Sequence, residues 1–249
     1  MAIETTYALQ LIAVCSFLTW LLAFRLSREI FGRFSVTYRS FPREKQVSVD
    51  DNFKVICHAV PASILSWYNY TCTELPPGGV WFESSGVRLV ASIYMGYACT
   101  DLLLMALHTQ LAIKIYVAHH CMSLYCAYIG MSYPCMAFYG NTTVMMELSN
   151  PSVFLRYLLL DFGYKNTKYY TVNGVVMLVT FFIARVAVTA IATFHLVQLM
   201  ATSEEFYELP LEVSLCYVSG CLLFNSLNYY WFALICKGFV KHIVSVKKD

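Results

Sequence analysis

The chain has 249 residues, of which 59% are hydrophobic and 13% are charged, and its formal net charge is +2 at pH 7. A soluble domain is about 45–50% apolar and about 25% charged, so this composition excludes an ordinary soluble globule and indicates several membrane spans. The small net charge gives no indication of nucleic-acid binding, and no nucleic-acid partner is expected.

A helix that crosses a bilayer needs about 20 mainly apolar residues, and seven segments of the chain fit this requirement. The first has no basic segment before it and positive charge after it, which favours an uncleaved membrane helix over a signal peptide. The fifth is the least hydrophobic and ends at Asn150-Pro151, where continuation of a helix is disfavoured. We therefore predict an all-α, polytopic membrane helix bundle of about seven transmembrane helices. The predicted spans are 5–24, 53–72, 89–107, 112–131, 134–150, 172–200 and 213–236.

The distribution of positive charge predicts the orientation of this bundle. With seven spans, fifteen of the 17 Lys and Arg residues fall on one side of the membrane, and only Arg88 falls in a loop on the other side. Because cytoplasmic loops carry the excess of Lys and Arg, we predict an N-out/C-in topology. The polar loop 25–52 and the mixed connection 151–171 are then cytosolic.

Several ionisable residues lie inside the predicted spans and share the cytosolic half of the bilayer, since a helix rises 1.5 Å per residue. Such groups cost free energy in apolar surroundings unless they have partners, water or a task. A histidine poised near neutral pH could take a proton from a nucleophile while a carboxylate orients its ring. We therefore predict a buried acid–base site that opens to the cytosol. The alternative is an interhelical hydrogen-bond network that only fixes packing. The ionisable residues that form this predicted site are His58, Asp101, His119, His120 and Glu147.

Arg185 is the charged residue of the sixth predicted span, near its centre. An arginine at this depth must face a partner or a watery cavity. It could bind an anionic lipid headgroup, or it could pair with Glu147 or Asp101. Asn225 and Asn228 in the seventh span are expected to bind neighbouring helices.

The metal-ligand and cysteine patterns predict neither a metal site nor a disulfide framework. Neither an HExxH nor an HxxxH spacing occurs. Most of the ten cysteines lie in apolar runs, where cysteine acts as a small hydrophobe. One bridge, between Cys72 and Cys135, is left open because both fall near predicted lumenal helix ends.

Five stretches together carry a resemblance to a known family. They are CHA at 57–59, GYACTDLLLM at 96–105, HHCMSLY at 119–125, ELSNPSVFLR at 147–156 and NGVVMLVTFFIAR at 173–185. In this order they resemble the TLC-domain family, which ceramide synthases share with translocating-chain-associated membrane proteins. The resemblance divides the chain into a first helix with a basic loop (1–49), a TLC domain (50–240) and a basic tail (241–249).

The resemblance implies membrane helices around a lipid-accommodating cavity. The paired histidines of ceramide synthases belong to the fatty-acyl-transfer site, so this role would fall on His119 and His120, with Asp101 and Glu147 as catalytic carboxylates. Acyl-CoA would be a co-substrate from the cytosol, and no resident cofactor is expected. The chain departs from the synthase pattern because it has no HDxxD segment. The lipid-binding residues predicted beside this site are His58, Arg185 and Asn173, the residue that opens the last stretch.

Three functions follow as expectations. The first is a protein of lipid homeostasis or membrane lipid composition, whose partners are membrane lipids. The second is a ceramide-synthase-like N-acyltransferase that uses acyl-CoA, and whether the chain is an enzyme is left open. The third is a cargo receptor or translocation helper of the endoplasmic reticulum. The expected location is the endoplasmic reticulum or another endomembrane, with the plasma membrane and a homodimeric state left open.

Overall fold

The computed structural model describes the backbone of residues 2–246 and the side chains of residues 6–241. This part of the chain is helical and contains no strand, which confirms the predicted all-α class. A π-helical segment, Phe182–Ala187, joins α8 to α9, and a 3₁₀ turn, Met146–Ser149, joins α6 to α7. The helices are α1 (Ala2–Phe34), α2 (Val36–Ser40), α3 (Arg43–Cys72), α4 (Ser85–Leu107), α5 (Lys114–Ser132), α6 (Ala137–Met145), α7 (Asn150–Asp161), α8 (Lys168–Phe181), α9 (Val188–Thr202) and α10 (Leu211–Val246).

Three helical stretches of the described chain are by themselves long and apolar enough to cross a bilayer. They are Thr6–Phe34, Ser85–Leu107 and Lys168–Thr202. Large apolar side chains such as Leu18 and Phe194 point outward on the first and third of them, with 57% and 67% of their surface exposed. Extensive exposed apolar surface marks contact with a membrane. The chain is a membrane protein, and the count of seven spans and the N-out/C-in orientation stay predictions.

The predicted polar loop 25–52 is wrong in its secondary structure, because most of it is helical. α1 continues to Phe34, and since 33 residues at 1.5 Å each exceed a hydrocarbon core of about 30 Å, its end projects beyond that core. The Ser35 side chain caps α2 by accepting the backbone N–H of Tyr38 at 3.1 Å. Pro42 precedes the first turn of α3, a place where its missing N–H is tolerated.

The predicted helix end at Asn150-Pro151 is also wrong. Helical backbone runs from Ala137 through the 3₁₀ turn to Asp161. Pro151 lies in the first turn of α7, where its missing N–H would have no intrahelical partner in any case. The mixed connection predicted after it is therefore largely α7.

α4 lies against α1 at a very close crossing. A Cβ atom at Gly96 would come within 2.3 Å of the carbonyl oxygen of Ala13, so only glycine allows this approach. Thr100 Oγ1 donates to the carbonyl of Phe17 at 3.1 Å, and Ser16 Oγ donates to that of Ile93 at 2.6 Å. The crossing fixes the depth and rotation of Asp101, the residue that follows Thr100.

The ends of α1, α2 and α3 are joined through the buried carboxylate of Asp50. Tyr38 Oη on α2 donates to both of its oxygens at 2.9 Å, and Ser27 Oγ on α1 donates to Oδ1 at 3.0 Å. Arg28 Nε lies 3.6 Å from Oδ2. This carboxylate therefore ties the basic segment before α3 to the bundle.

Candidate functional site

A cluster of charged groups is centred on Asp101 of α4, whose side chain is buried. Lys54 of α3 is fully buried and donates from Nζ to Asp101 Oδ1 and, at 2.7 Å, to Asp51 Oδ1. His120 of α5 brings Nδ1 to 3.2 Å from Asp101 Oδ2. Among the described side chains this Nδ1 has no hydrogen bond of its own, so the contact is electrostatic rather than a directed bond. Asp101 thus stands between an ammonium and an imidazole from two other helices.

The two adjacent histidines face different neighbours. Their rings are perpendicular, with centroids 5.3 Å apart. His119 lies edge-on to Phe224 and Trp231 of α10, at 5.3 Å and 5.5 Å, while His120 faces Asp101. Successive residues of an α-helix with 3.6 residues per turn point about 100° apart, which accounts for the two directions. Both residues are only partly buried, so they border the charged cluster and remain reachable.

His58 joins the same region by aromatic stacking. Its ring lies parallel to that of Tyr97, with centroids 3.7 Å apart and an interplanar angle of 3°. The ring of Trp20 is nearly perpendicular to it, with centroids 5.0 Å apart. The residue is fully buried, and neither ring nitrogen has a hydrogen-bond partner in the described part of the chain. The structure therefore uses the predicted lipid-binding residue His58 in packing between α1, α3 and α4.

A second polar cluster forms where two helices are interrupted. Arg185 lies in the π-helical segment and is buried. Its Nε donates to Ser149 Oγ at 2.7 Å, and its two terminal nitrogens lie 2.8 Å from Asn150 Oδ1 and 3.4 Å from Asn228 Oδ1. Ser149 belongs to the 3₁₀ turn and Asn150 begins α7. The guanidinium therefore connects α7, α8–α9 and α10 through three acceptors.

Glu147 lies in that 3₁₀ turn and is buried. Its Oε2 accepts from Asn150 Nδ2 at 2.9 Å. The predicted direct pairing of Arg185 with Glu147 or Asp101 is wrong for the described structure, because Asn150 stands between the guanidinium and the carboxylate of Glu147. Asn228 contacts neighbouring helices, as predicted.

Asn173 of α8, predicted to bind lipid, is buried and donates from Nδ2 to the carbonyl of Ser152 at 2.9 Å. It therefore fixes the contact between α7 and α8. The same contact includes Ser152 Oγ and Thr180 Oγ1, which are 3.1 Å apart.

The two clusters belong to one site, because they meet along α10. Asn228 of this helix lies 3.4 Å from Arg185, and its Phe224 and Trp231 contact His119, which is adjacent to His120. Together the two clusters hold three carboxyl groups and two cationic side chains. The charged residues are Asp51, Lys54, Asp101, Glu147 and Arg185.

A cavity of about 60 Å³ lies next to the site between α5, α6, α9 and α10. Phe224, the neighbour of His119, and Met146, the neighbour of Glu147, line it together with Asn225. Sites for drug-sized ligands measure about 300–1,000 Å³. In the described conformation this cavity has room for water-sized molecules but not for an acyl chain.

The sequence alone does not identify four residues of this site, which are Lys54, Asp51, Ser149 and Asn150. Lys54 lies at the start of the second predicted span, next to the polar loop. The spacing of Asp51, Lys54 and His58 at three and four residues is a signal that could have found it, because it puts all three on one face of a helix. No comparable signal exists for Ser149 and Asn150, whose roles depend on the two helix interruptions.

The sequence is similar to several known proteins. Residues 48–237 match the protein family described as TLC domain. Human TLC domain-containing protein 4 is 25% identical over 252 residues, which cover 100% of this chain and 95% of the relative. TLC domain-containing protein 4-A of Xenopus laevis is 28% identical over 240 residues, covering 94% and 92%, and 4-B is 30% identical over 164 residues, covering 65% and 62%. No solved structure matches the chain.

Proposed function

The chain belongs to the TLC-domain family, and from this premise we propose that it acts in lipid homeostasis by binding the polar group of a membrane lipid beside His119 and His120. The observation that carries this proposal is the buried ionic network around Asp101 and Arg185, which two partly exposed imidazoles border. The proposed location is the endoplasmic reticulum or another endomembrane.

The free energy needed to bury this ionic network argues for a role beyond packing. Each ion buried in a protein loses several kcal/mol of hydration free energy. Replacing a buried ion pair with well-packed apolar residues of similar volume often leaves the protein equally stable. Intramembrane ionisable groups therefore mark functional sites by default. The interruptions at Glu147 and Arg185 support this interpretation, since π-helical and 3₁₀ segments inside helices are frequent at functional sites.

The hydrogen-bonding groups of the site favour one chemical class of headgroup. Nδ1 of His119 has no partner among the described side chains, whereas the donors of Lys54 and Arg185 are already engaged, so the site offers acceptors more than donors. A lipid that donates hydrogen bonds, through a hydroxyl or an amino group, fits this balance. Its acyl chain would require the neighbouring cavity to widen by separation of α9 and α10.

Photocrosslinking tests the proposal in a bilayer. The full chain in lipid nanodiscs is exposed to photoactivatable lipids with a free hydroxyl or amino headgroup, and the labelled peptides are mapped by mass spectrometry. We expect labelling near His119–Tyr125 and a several-fold loss in His120→Ala and Asp101→Asn. His195→Ala is the matched control, because this α9 histidine contacts Phe138 and Phe194 rather than the site. Equal labelling of all four proteins would contradict the proposal.

A second candidate function is acyl transfer from acyl-CoA, favoured by the placement of His120 Nδ1 beside Asp101. In this reaction His120 takes the proton of a hydroxyl or amino group, whose oxygen or nitrogen attacks the thioester carbonyl, and the thiol of coenzyme A leaves with the proton. Asp101 would stabilise the imidazolium. Arg185 cannot be the base, since a guanidinium has no acceptor, and the carboxylate of Glu147 accepts from Asn150 rather than facing the histidines.

Labelled acyl-CoA separates the two candidates. Transfer to a hydroxyl or amino lipid that falls at least 100-fold in His120→Ala, with His195→Ala unchanged, would support catalysis, since a general base contributes about 10²–10⁴-fold. Lipid capture without any transfer would leave the binding function alone. Transfer that survives both His119→Ala and His120→Ala would exclude the histidine mechanism.

A further inference from the structure

Two cysteine thiols from neighbouring helices meet inside the bundle. Cys126 of α5 and Cys216 of α10 place their Sγ atoms 3.5 Å apart. A disulfide requires about 2.05 Å between its sulfurs, so these atoms are about 1.5 Å from bonding distance. The described cysteines are all free, and the bridge left open between Cys72 and Cys135 is absent, with Cys72 exposed and Cys135 buried.

The helices around this pair are already held together. Tyr125 Oη donates to the backbone carbonyl of Glu212 and Tyr133 Oη donates to Glu212 Oε1, both at 2.6 Å. Gly220 leaves room for Cys126, because a Cβ at this glycine would come within 3.2 Å of the Cys126 sulfur. The two thiols therefore face each other between helices that hydrogen bonds already hold together.

A small oxidant has a place to reach both sulfurs. Cys126 and Cys216 line the cavity of about 60 Å³ described above, which has room for a few water-sized molecules. This admits a molecule of the size of hydrogen peroxide and excludes a peptide disulfide such as oxidised glutathione. Cys221 lines the same cavity, but its sulfur is 3.3 Å from both Thr193 Oγ1 and Asn225 Nδ2.

We propose that Cys126 and Cys216 form a hydroperoxide-sensitive pair that closes into a disulfide. One sulfur attacks the O–O bond of the hydroperoxide and becomes a sulfenic acid, while the other oxygen leaves as an alcohol or water with the thiol's proton. The second sulfur then displaces the sulfenic oxygen as water. Two thiols and one hydroperoxide give one disulfide, one alcohol or water, and one water. Two electrons pass from sulfur to oxygen.

The disulfide would change the neighbourhood of the candidate site. α5 carries His119, and α10 carries its ring neighbours Phe224 and Trp231. A covalent link between these helices prevents them from separating at the cavity. The inference does not depend on lipid binding, because it rests on the thiols and the cavity alone.

Mass spectrometry of the full chain tests the proposal. The protein in nanodiscs is treated with hydrogen peroxide, its remaining thiols are blocked with N-ethylmaleimide, and its peptides are mapped without reduction. We expect a Cys126–Cys216 cross-linked peptide that dithiothreitol removes, together with a melting temperature that rises on oxidation and returns on reduction.

Two cysteine variants serve as control and test for this cross-link. Cys121→Ala removes an exposed cysteine of the same helix and should leave the cross-link intact, whereas Cys216→Ala should abolish it together with the rise in melting temperature. If Cys216→Ala does not fold, the peptide map of the wild type alone decides. Untouched thiols, oxidation of both thiols to sulfinic acids, or a bridge to Cys221 instead would each overturn the proposal.

Discussion

Lys54 supplies the positive charge that Asp101 needs, and it does so from a fully buried position on α3. Its ammonium lies between the carboxylates of Asp51 and Asp101. Removing one partner of a buried ion pair leaves an uncompensated charge, which costs far more than the pair contributes. Lys54 therefore sets the charge of the site and the stability of the helices around it.

We expect Lys54→Met to lower the free energy of unfolding by about 3–5 kcal/mol, since two carboxylates lose their cation. Adding Asp101→Asn to this variant should restore part of the loss. Denaturant unfolding in detergent measures both effects. Lys114→Met, at an exposed position at the start of α5, is the control and should stay within about 0.5 kcal/mol of the wild type. A Lys54→Met protein as stable as the wild type would contradict this account, because it would mean that Asp51 and Asp101 do not need the ammonium to remain buried.

Asp50 predicts a pH dependence with a defined sign. Burial raises the pKa of its carboxyl group, against the opposing hydrogen bonds from Tyr38 and Ser27. The folded state then binds more protons than the unfolded state between the two pKa values. The stabilising contribution of Asp50 is therefore complete below about pH 4, the unfolded value, and decreases as the pH rises through the folded value.

Asp50→Asn should remove this dependence while keeping an acceptor for Tyr38. We expect the stability of the wild type relative to the variant to decrease as the pH rises above about 4. Thermal unfolding across acidic and neutral pH measures it. A difference that does not change with pH would mean that the carboxyl titrates alike in both states.

At the scale of elements, the site is built at two interruptions that have no obvious signal in the sequence. The stretch FIARVA contains no proline or glycine, yet it is π-helical and directs Arg185 toward three acceptors. The all-α class, the burial of Asp101 and the divergence of His119 and His120 could be predicted, because they follow from composition and the helical repeat. The acceptors of Arg185 could not be predicted. They depend on a 3₁₀ turn and a π-helical segment that lie far apart in the sequence.

Gly96 is predicted to be irreplaceable at the crossing of α1 and α4. Gly96→Ala places a methyl group 2.3 Å from the backbone of Ala13, so the helices must separate, and we expect a loss of about 1–3 kcal/mol, as for other overpacked positions. Gly32→Ala is the matched helical control, because nothing lies within 4 Å of its added Cβ. It should stabilise α1 by about 0.5–1 kcal/mol. Equal melting temperatures for the two variants would contradict this account.

At the scale of the whole molecule, the predicted topology puts the basic segment around α2 in the cytosol and the end of α3 on the other side. Ser40 is exposed on α2 and Cys72 is exposed at the end of α3. These two positions therefore report on the orientation from opposite faces of the membrane.

A membrane-impermeant maleimide on sealed microsomes tests this orientation. We expect Ser40→Cys to be labelled in intact vesicles, and Cys72 to be labelled only after permeabilisation. Cys72→Ala identifies the signal of Cys72. Labelling of Cys72 in intact vesicles would overturn the N-out/C-in topology or the predicted number of spans before it.

The family match begins at residue 48, but the close crossing at Gly96 lies between α4 and a helix that ends before this residue. A truncated protein that starts at the edge of the match would lack α1 and expose the face of α4 that α1 covers. The hydroxyl of Thr100 and the carboxylate of Asp50 would lose their hydrogen bonds to α1. The boundary drawn by sequence similarity is thus not a boundary of the folding unit, and α1 is inseparable from the charged centre it shields.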